Sequence, residues 1–444
     1  MVKLSNLLFI ASSLIFPEFV FASSDLTSHA NFQLWTPIFF VILILSIAII
    51  PLINSEWWGN NYKYVSIGLS IPALFIVIFK DYSLLLHTIK EYISFIILLG
   101  SLFVISGGIV IRISRKGKPL INSIILLTGA VFASFIGTTG ASMVLIRPLI
   151  RINRWRKHVA HIYIFFIFLV SNIGGLLTPL GDPPLFLGFL KGVPFAWTFT
   201  KLIPFWLVAV FILIVAFYLI DSYKIKKEQI EKITTPKKVE VVKKLEIRGK
   251  INFLFLGAVI GAFFLPSIVR ELVMITSAIL SIYLTPIGIR EENGFTYHPI
   301  IEVAVLFIGI FITMIPALRI LEINGNKLGI DTPWKFFWVT GALSSFLDNA
   351  PTYLVFMSTA KSFALMKNIT TGLVAGVPEI FLKAISVGAV FMGANTYVGN
   401  GPNFMVKAIC EENDIPMPSF FEYMGWSILL LIPTFIIITF VFFL

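Results

Sequence analysis

Apolar residues run in blocks along almost the whole chain. Many blocks are about 17–23 residues long, enough to carry a helix across a hydrocarbon core. They predict plain spans near 34–53, 63–80, 92–112, 198–220, 251–269, 272–289, 299–318 and 422–444. Two further spans, 159–190 and 378–409, are interrupted by glycine, proline and polar residues. Two more segments, 119–150 and 334–361, are long enough to enter the membrane and return. Each carries small and polar residues at its centre, "FIGTTGAS" (Phe135–Ser142) and "SSFLDNAP" (Ser344–Pro351). Both read as re-entrant hairpins, because non-helical backbone at that depth is tolerated only where protein or a wet cavity surrounds it. The pattern predicts an all-α polytopic membrane protein with about ten spans, two hairpins and two broken helices.

Charge orients this pattern. Only 13% of the 444 residues are charged and 57% are hydrophobic, whereas a soluble domain carries about 25% charged residues. The formal charge of +11 could suit nucleic acid. The basic residues, however, cluster in short loops between apolar blocks, which argues against a nucleic-acid partner. Residues 1–22 read as a secretory signal peptide: Lys3, an apolar core, then "VFA" before a cleavage after Ala22. Ser23 then lies outside the cytoplasm. On that assignment the cytoplasmic loops collect 22 basic residues and the outer loops 10, as the positive-inside rule expects. Reading the first hairpin as one full span would turn the ten basic residues between Lys224 and Lys250 outward, so the re-entrant reading is preferred. The expected location is a bacterial inner membrane, with the mature N-terminus and the C-terminus both periplasmic. Cys410 is the single cysteine, so no internal disulfide forms.

The basic linker 221–250 divides the chain. Residues 23–220 and 251–444 each show three spans, a hairpin, an interrupted span and a plain span. Five crossings per half invert the second half relative to the first. Inverted repeats with paired interrupted segments point to a secondary transporter whose site lies near the midplane.

The first interruption reads "SNIGGLLTPLGDPPLFLG", Ser171–Gly188. Its glycines permit unusual dihedrals. Pro179, Pro183 and Pro184 remove backbone donors. Asp182 lies inside the break, and a carboxylate at membrane depth is by default functional. Ser171, Asn172 and Thr178 flank it. The second interruption, "MGANTYVGNGPNF" (Met392–Phe404), offers Asn395, Thr396, Asn400 and Asn403 but no acid. The hairpin tips add Thr138, Thr139 and Ser142 from one side, and Asp348 and Asn349 from the other. Together these residues form an expected ion- or substrate-binding set. Its two carboxylates and neutral oxygens suit a hard cation, so Na⁺ at Asp182 and Asp348 is the expected metal, with H⁺ as its competitor. No catalytic residue and no organic cofactor is expected.

Blander roles stand beside these. Asn172, Asn395 and Asn400 could cap half-helix ends, and the hairpin hydroxyls could satisfy backbone groups. Glu302, Glu379 and Lys383 sit near span ends and can snorkel. Arg147 reads as the cytoplasmic exit of the first hairpin. His158 and His161 read as the edge of a basic loop, too few for a metal site.

The run from Asn172 to Asp182, N-x-G-G-x-x-T-P-x-G-D, resembles the signature of NhaD-type Na⁺/H⁺ antiporters in the ion transporter superfamily. "GDPP" (Gly181–Pro184) is closer to the arsenite-permease branch, and "LDNAP" (Leu347–Pro351) resembles the second hairpin of these families. The chain is also similar to the citrate transporters of this superfamily. The resemblance implies a homodimer in membrane lipid with a moving transport part. It also implies ion-site roles for Asn172, Asp182, Asp348 and Asn349. Where the antiporters carry threonines after the aspartate, this chain has Pro183, Pro184 and Leu185. Where their first hairpin carries an Asp-Asn pair, this chain reads Gly137-Thr138-Thr139-Gly140. The functional expectation is ion-coupled secondary transport, first Na⁺/H⁺ antiport and alternatively Na⁺- or H⁺-coupled uptake of citrate, a dicarboxylate or another anion. A remote alternative is an intramembrane aspartyl protease, since paired carboxylates can activate water. Two prolines directly after Asp182 and the hairpin-tip position of Asp348 argue against it.

Overall fold

Short polar side chains and prolines decide where one apolar helix ends and the next begins. The computed structural model describes residues 32–113, 115–230 and 246–444. The expected signal peptide and residues 231–245 of the basic linker therefore lie outside the described residues. The described residues are 78% helical. Helices α1 (Ile38–Ile53), α2 (Ser55–Lys80) and α3 (Tyr82–Gly107) follow one another with single-residue joints. At the first joint Asn54 accepts a hydrogen bond from the Trp57 amide, at 2.9 Å. At the second, Asp81 accepts from the amides of Ser83 and Leu84, at 2.9 and 3.3 Å. These caps satisfy first-turn donors. The helices therefore start in polar sequence, well before the apolar blocks expected at 63–80 and 92–112. Lys63, the first residue of the expected span 63–80, stands inside α2.

The first hairpin is α4 (Pro119–Ile136) and α5 (Thr138–Asn153), turned at Gly137, whose φ of +80° favours glycine. The first broken helix is α6 (Ala160–Leu169), a 3₁₀ turn (Ile173–Leu177) and α7 (Pro183–Leu190); α8 (Phe195–Ile230) follows. Then come α9 (Ile251–Ala262), α10 (Ser267–Leu284), α11 (Ile287–Glu292) and α12 (His298–Asn324). The second hairpin is α13 (Pro333–Ser344) and α14 (Asn349–Met366). The second broken helix is α15 (Glu379–Met392), a 3₁₀ turn (Gly393–Asn395) and α16 (Gly401–Glu412), and α17 (Phe420–Phe442) closes the chain. Two small antiparallel ribbons complete it. β1 (Val110–Arg112) pairs with β2 (Glu246–Arg248), Val110 opposite Arg248; β3 (Leu373–Val374) pairs with β4 (Val377–Pro378).

Among the described residues, eight helical segments are long and apolar enough to cross a membrane, and two shorter apolar helices accompany them. Their burial sorts them. The segment Ala160–Leu177, which holds the first 3₁₀ turn, is 94% buried, while Ser267–Leu284 is only 22% buried. Broken helices thus sit inside, and the unbroken outer helices turn apolar side chains outward, where lipid replaces water. Small residues allow close approach, as membrane helices require without a hydrophobic drive between them. A Cβ on Gly388 of α15 would come within 2.5 Å of the Phe337 carbonyl on α13.

Two ionic clusters tie the helices together. Arg112 grips Glu292 through two bonds of 2.8 and 2.9 Å. Arg248 reaches the same carboxylate at 2.8 Å and Arg151 at 3.3 Å. The Arg112 guanidinium holds the Glu292 carboxyl below its ordinary value of 4.5. The second cluster is fully buried. Asp221 meets Arg156 at 2.6 Å, His161 at 2.9 Å and Asn122 at 3.1 Å, and Asn122 and Asn153 exchange amide bonds. Two expectations change here. His161 is 1% exposed and stands on α6, not at a loop edge. The linker does not begin at residue 221, because α8 continues through Ile230 to keep Asp221 inside.

Replacing Asp221 by Ala leaves Arg156 buried beside a vacated partner, a loss of about 3–5 kcal/mol for a buried pair. The variant should give little monodisperse protein by size exclusion; a wild-type melting temperature rejects the structural role. For Glu292 the folded-state pKa is lowered, so its stabilisation is complete above about 4.5 and fades as pH falls through the folded value. Glu292→Gln should melt below wild type at neutral pH, with the gap closing in acid. A gap that does not change with pH contradicts this.

Candidate functional site

Both breaks are built on the same seven-residue register, T-x-x-G-[D/N]-x-P, at Thr178–Pro184 and Thr396–Pro402. The backbones agree. Thr178 has φ −138° and ψ 160°, Thr396 −136° and 166°. Asp182 has −144° and 144°, Asn400 −153° and 139°. The glycines mark a tight crossing: a Cβ on Gly181 would lie 2.1 Å from the Gly175 carbonyl, and one on Gly399 2.5 Å from the Gly393 carbonyl.

Each threonine fastens its break to a hairpin. Thr178 donates to the Ser134 carbonyl and accepts from the Leu180 amide at 3.1 Å. Thr396 donates to the Ser345 carbonyl and accepts from the Val398 and Gly399 amides at 3.2 and 3.1 Å. Serines return the favour: Ser134 donates to the Gly174 carbonyl, and Ser344 to that of Ala389 at 2.6 Å. Thr178 and Thr396 are therefore spent on backbone, not aimed at a ligand.

Asp182 is 1% exposed and directly precedes α7. An aspartate there would ordinarily cap the helix. Pro183 and Pro184 carry no N–H in the first turn, and Asp182 makes no cap bond. Its carboxylate turns elsewhere. One oxygen accepts from Thr138 Oγ1 at 3.0 Å and Asn400 Nδ2 at 3.2 Å; the other accepts from Asn349 Nδ2. The donors come from the first hairpin tip, the second break and the second hairpin tip, and all are neutral.

Asn172 and Asn400 do not cap their helices. Asn400 also donates to the Ser171 carbonyl at 3.1 Å and Asn172 Oδ1 at 3.2 Å. Asn172 donates to Asn403 Oδ1 at 2.7 Å, and Asn403 donates to the carbonyls of Gly393 and Thr396, each at 2.9 Å. This amide chain stitches the two breaks together. Ser142 and Ser171 share a buried hydroxyl contact of 2.8 Å. Asn395 faces away: it donates to Ser345 Oγ at 2.8 Å and lines a separate cavity of about 220 Å³ with Thr396.

Asp348 caps α14 through the Ala350 amide at 2.9 Å and lies half-buried. It also borders a cavity of about 100 Å³ with Asp182, Thr138, Thr139 and Asn400. The opposite wall is apolar, formed by Leu102 and Phe103 of α3 and Val303 and Phe307 of α12. Among the described residues no Lys, Arg or His lines this cavity. Four helices, α5, α7, α14 and α16, begin at its edge, and helix N-termini favour negative charge. The Oδ1 of Asn349 is buried without a hydrogen bond, which leaves a free acceptor beside the carboxylate. Among the described residues no three His, Cys, Asp or Glu side chains gather as metal ligands. The chemistry on offer is oxygen only, which suits a proton or a hard monovalent cation.

Sequence reasoning missed Ser134, Ser344 and Ser345 as tethers, and the cluster around Asp221. The shared T-x-x-G register was the available signal for the tethers, since it aligns the breaks to the residue. Nothing local marks Asp221, whose partners lie far away along the chain.

A family model described as "Putative citrate transport" matches residues 29–443. No curated protein matches the chain.

Because Thr178 and Thr396 occupy the same place in the two breaks, Thr178→Val and Thr396→Val should destabilise similarly. Each strands a buried carbonyl, at about 1–3 kcal/mol. Thermal unfolding in detergent measures this. A large loss in one variant and none in the other means the breaks are not equivalent.

Proposed function

The chain belongs to this citrate transport family, and from that premise we propose an ion-coupled secondary transporter whose central cavity binds a cation at Asp182. The halves 23–220 and 251–444 act as inverted repeats, and the two breaks meet where they cross. Asp182 is the charged ligand. Thr138, Thr139 and Asn349 supply neutral oxygens, Asp348 a second carboxylate, and Asn172, Asn400 and Asn403 hold the carboxylate in position. One observation carries the reading: a buried carboxylate in the break of an apolar helix is met only by neutral donors, in a cavity that no basic side chain lines among the described residues. A carboxylate kept for structure alone would be expected to meet a cation of the protein. Proton and Na⁺ then compete for one position. Protonation on one side releases Na⁺ and deprotonation on the other accepts it, which is Na⁺/H⁺ antiport. The assembly is a homodimer in a bacterial inner membrane, with the linker cytoplasmic.

A second reading rests on the family's description and on the four helix starts around the cavity. In it the cation is a coupling ion, and the helix N-termini hold the carboxylates of citrate or a related anion. Membership in a transport family leaves the protease alternative without support.

The test is to reconstitute the protein and follow Na⁺-driven proton flux beside Na⁺-driven uptake of labelled citrate. Antiport predicts the first without the second; the anion reading predicts the reverse. Under either, Asp182→Asn should reduce coupled flux to the empty-vesicle level at normal protein content. Full coupling in that variant removes Asp182 from the site.

A further inference from the structure

A third, open cavity of about 600 Å³ lies where α6 begins, near the end of α8 and at the start of α17. His161, Lys224, Met417, Glu422, Trp426 and Leu429 are among the residues of its wall. Three features give it a chemistry. His161 is 99% buried; its Nε2 is committed to Asp221, while Nδ1 makes no hydrogen bond. Lys224 stands one turn beyond Asp221 on α8, with its ammonium 5.9 Å from the Trp426 ring centre and no carboxylate within ion-pairing reach among the described residues. The first turn of α6 has no side-chain cap, and its first two residues, Ala160 and His161, both border the cavity. By contrast, the start of α17 is already served: Glu422 closes a capping box with Ser419 at 2.8 Å. Glu422 also borders the cavity, but its carboxylate is held by its own helix start, whereas Lys224 has no carboxylate partner among the described residues.

The apolar side of the cavity does not end at its mouth. Leu429 is 68% exposed, and Ile436 and Phe440 continue the same face of α17 outward, Phe440 at 67%. Spacings of seven and four residues keep them on one stripe. A polar pocket at one end of a spanning helix, followed by an exposed apolar track along it, matches the shape of a lipid. The loop before α6 carries Arg154, Lys157 and His158 on the surface, as expected at headgroup level.

We propose that this cavity binds the phosphate of an anionic phospholipid, held by Lys224 and the uncapped start of α6, with an acyl chain along the Leu429–Ile436–Phe440 face of α17. The site abuts the Asp221 cluster, whose Asn122 and Asn153 belong to the first hairpin. The lipid thus braces the foot of that hairpin. The proposal stands independently of what the transporter carries.

The test uses the purified full chain, delipidated in detergent and titrated with phosphatidylglycerol, phosphatidylcholine or inorganic phosphate. Native mass spectrometry counts bound lipid and thermal unfolding reports stabilisation. Phosphatidylglycerol should bind and raise the melting temperature, with phosphatidylcholine weaker and inorganic phosphate without effect. Lys224→Gln should weaken phosphatidylglycerol binding about fivefold, Lys224→Glu more, and Lys224→Arg should restore it. Should charge reversal lower expression, the Gln and Arg pair carries the test alone. Equal binding in Lys224→Gln overturns the assignment. Stabilisation by inorganic phosphate equal to that by lipid overturns the lipid as occupant.

Discussion

The structure turns on one carboxylate that has been taken out of water without a counter-charge from the protein. Asp182 receives three hydrogen bonds from Thr138, Asn349 and Asn400. Neutral donors recover part of the lost hydration, but a bare carboxylate in hydrocarbon still costs several kcal/mol. The surrounding chain is arranged to lower that cost. Both hairpins and both broken helices place a helix start at the cavity edge, and helix N-termini favour negative charge. The helices must break for those starts to be there. The breaks expose backbone groups, and the Thr178 and Thr396 tethers, with their serine partners, satisfy them.

Pro183 and Pro184 have a physical role in this arrangement. An aspartate in front of an ordinary helix would be drawn to the first-turn amides. Two prolines remove the nearest amide donors and leave the carboxylate free to face the opposite half of the chain. Asp348 shows the alternative outcome, because it precedes a helix with a free Ala350 amide and spends an oxygen on it. The two carboxylates that border one cavity are thus unequal by construction: one is held by distant side chains, the other by its own helix.

The buried pairing of Asp221 with Arg156 and His161 has a different character. It joins α4, α6 and α8 at the open end of the first hairpin, away from the central cavity. Buried ion pairs add little net stability relative to a well-packed apolar core, but removing one partner is expensive. Such a cluster therefore fixes which helices meet. The Glu292 cluster does the same at the surface by tying the β1–β2 ribbon to the end of α5.

Sequence alone determined the membrane class, the two hairpins, the two breaks and the residues inside them. These follow from local physics: apolar run length, glycine and proline at mid-run, and the cost of a charge in lipid. Helix starts at Ser55 and Tyr82 were not legible from hydropathy, because a cap acts through geometry and not through apolarity. The candidate site was legible as a list but not as a network. Asn395 and Asn400 lie five residues apart in one broken segment, yet one faces Ser345 and the other Asp182. His161 reads locally as a loop-edge histidine and becomes a buried partner only because Asp221, sixty residues on, folds against it. Which oxygen meets which donor depends on contacts between segments up to 231 residues apart. Only packing decides such contacts, since no local preference encodes the direction of a side chain across a break.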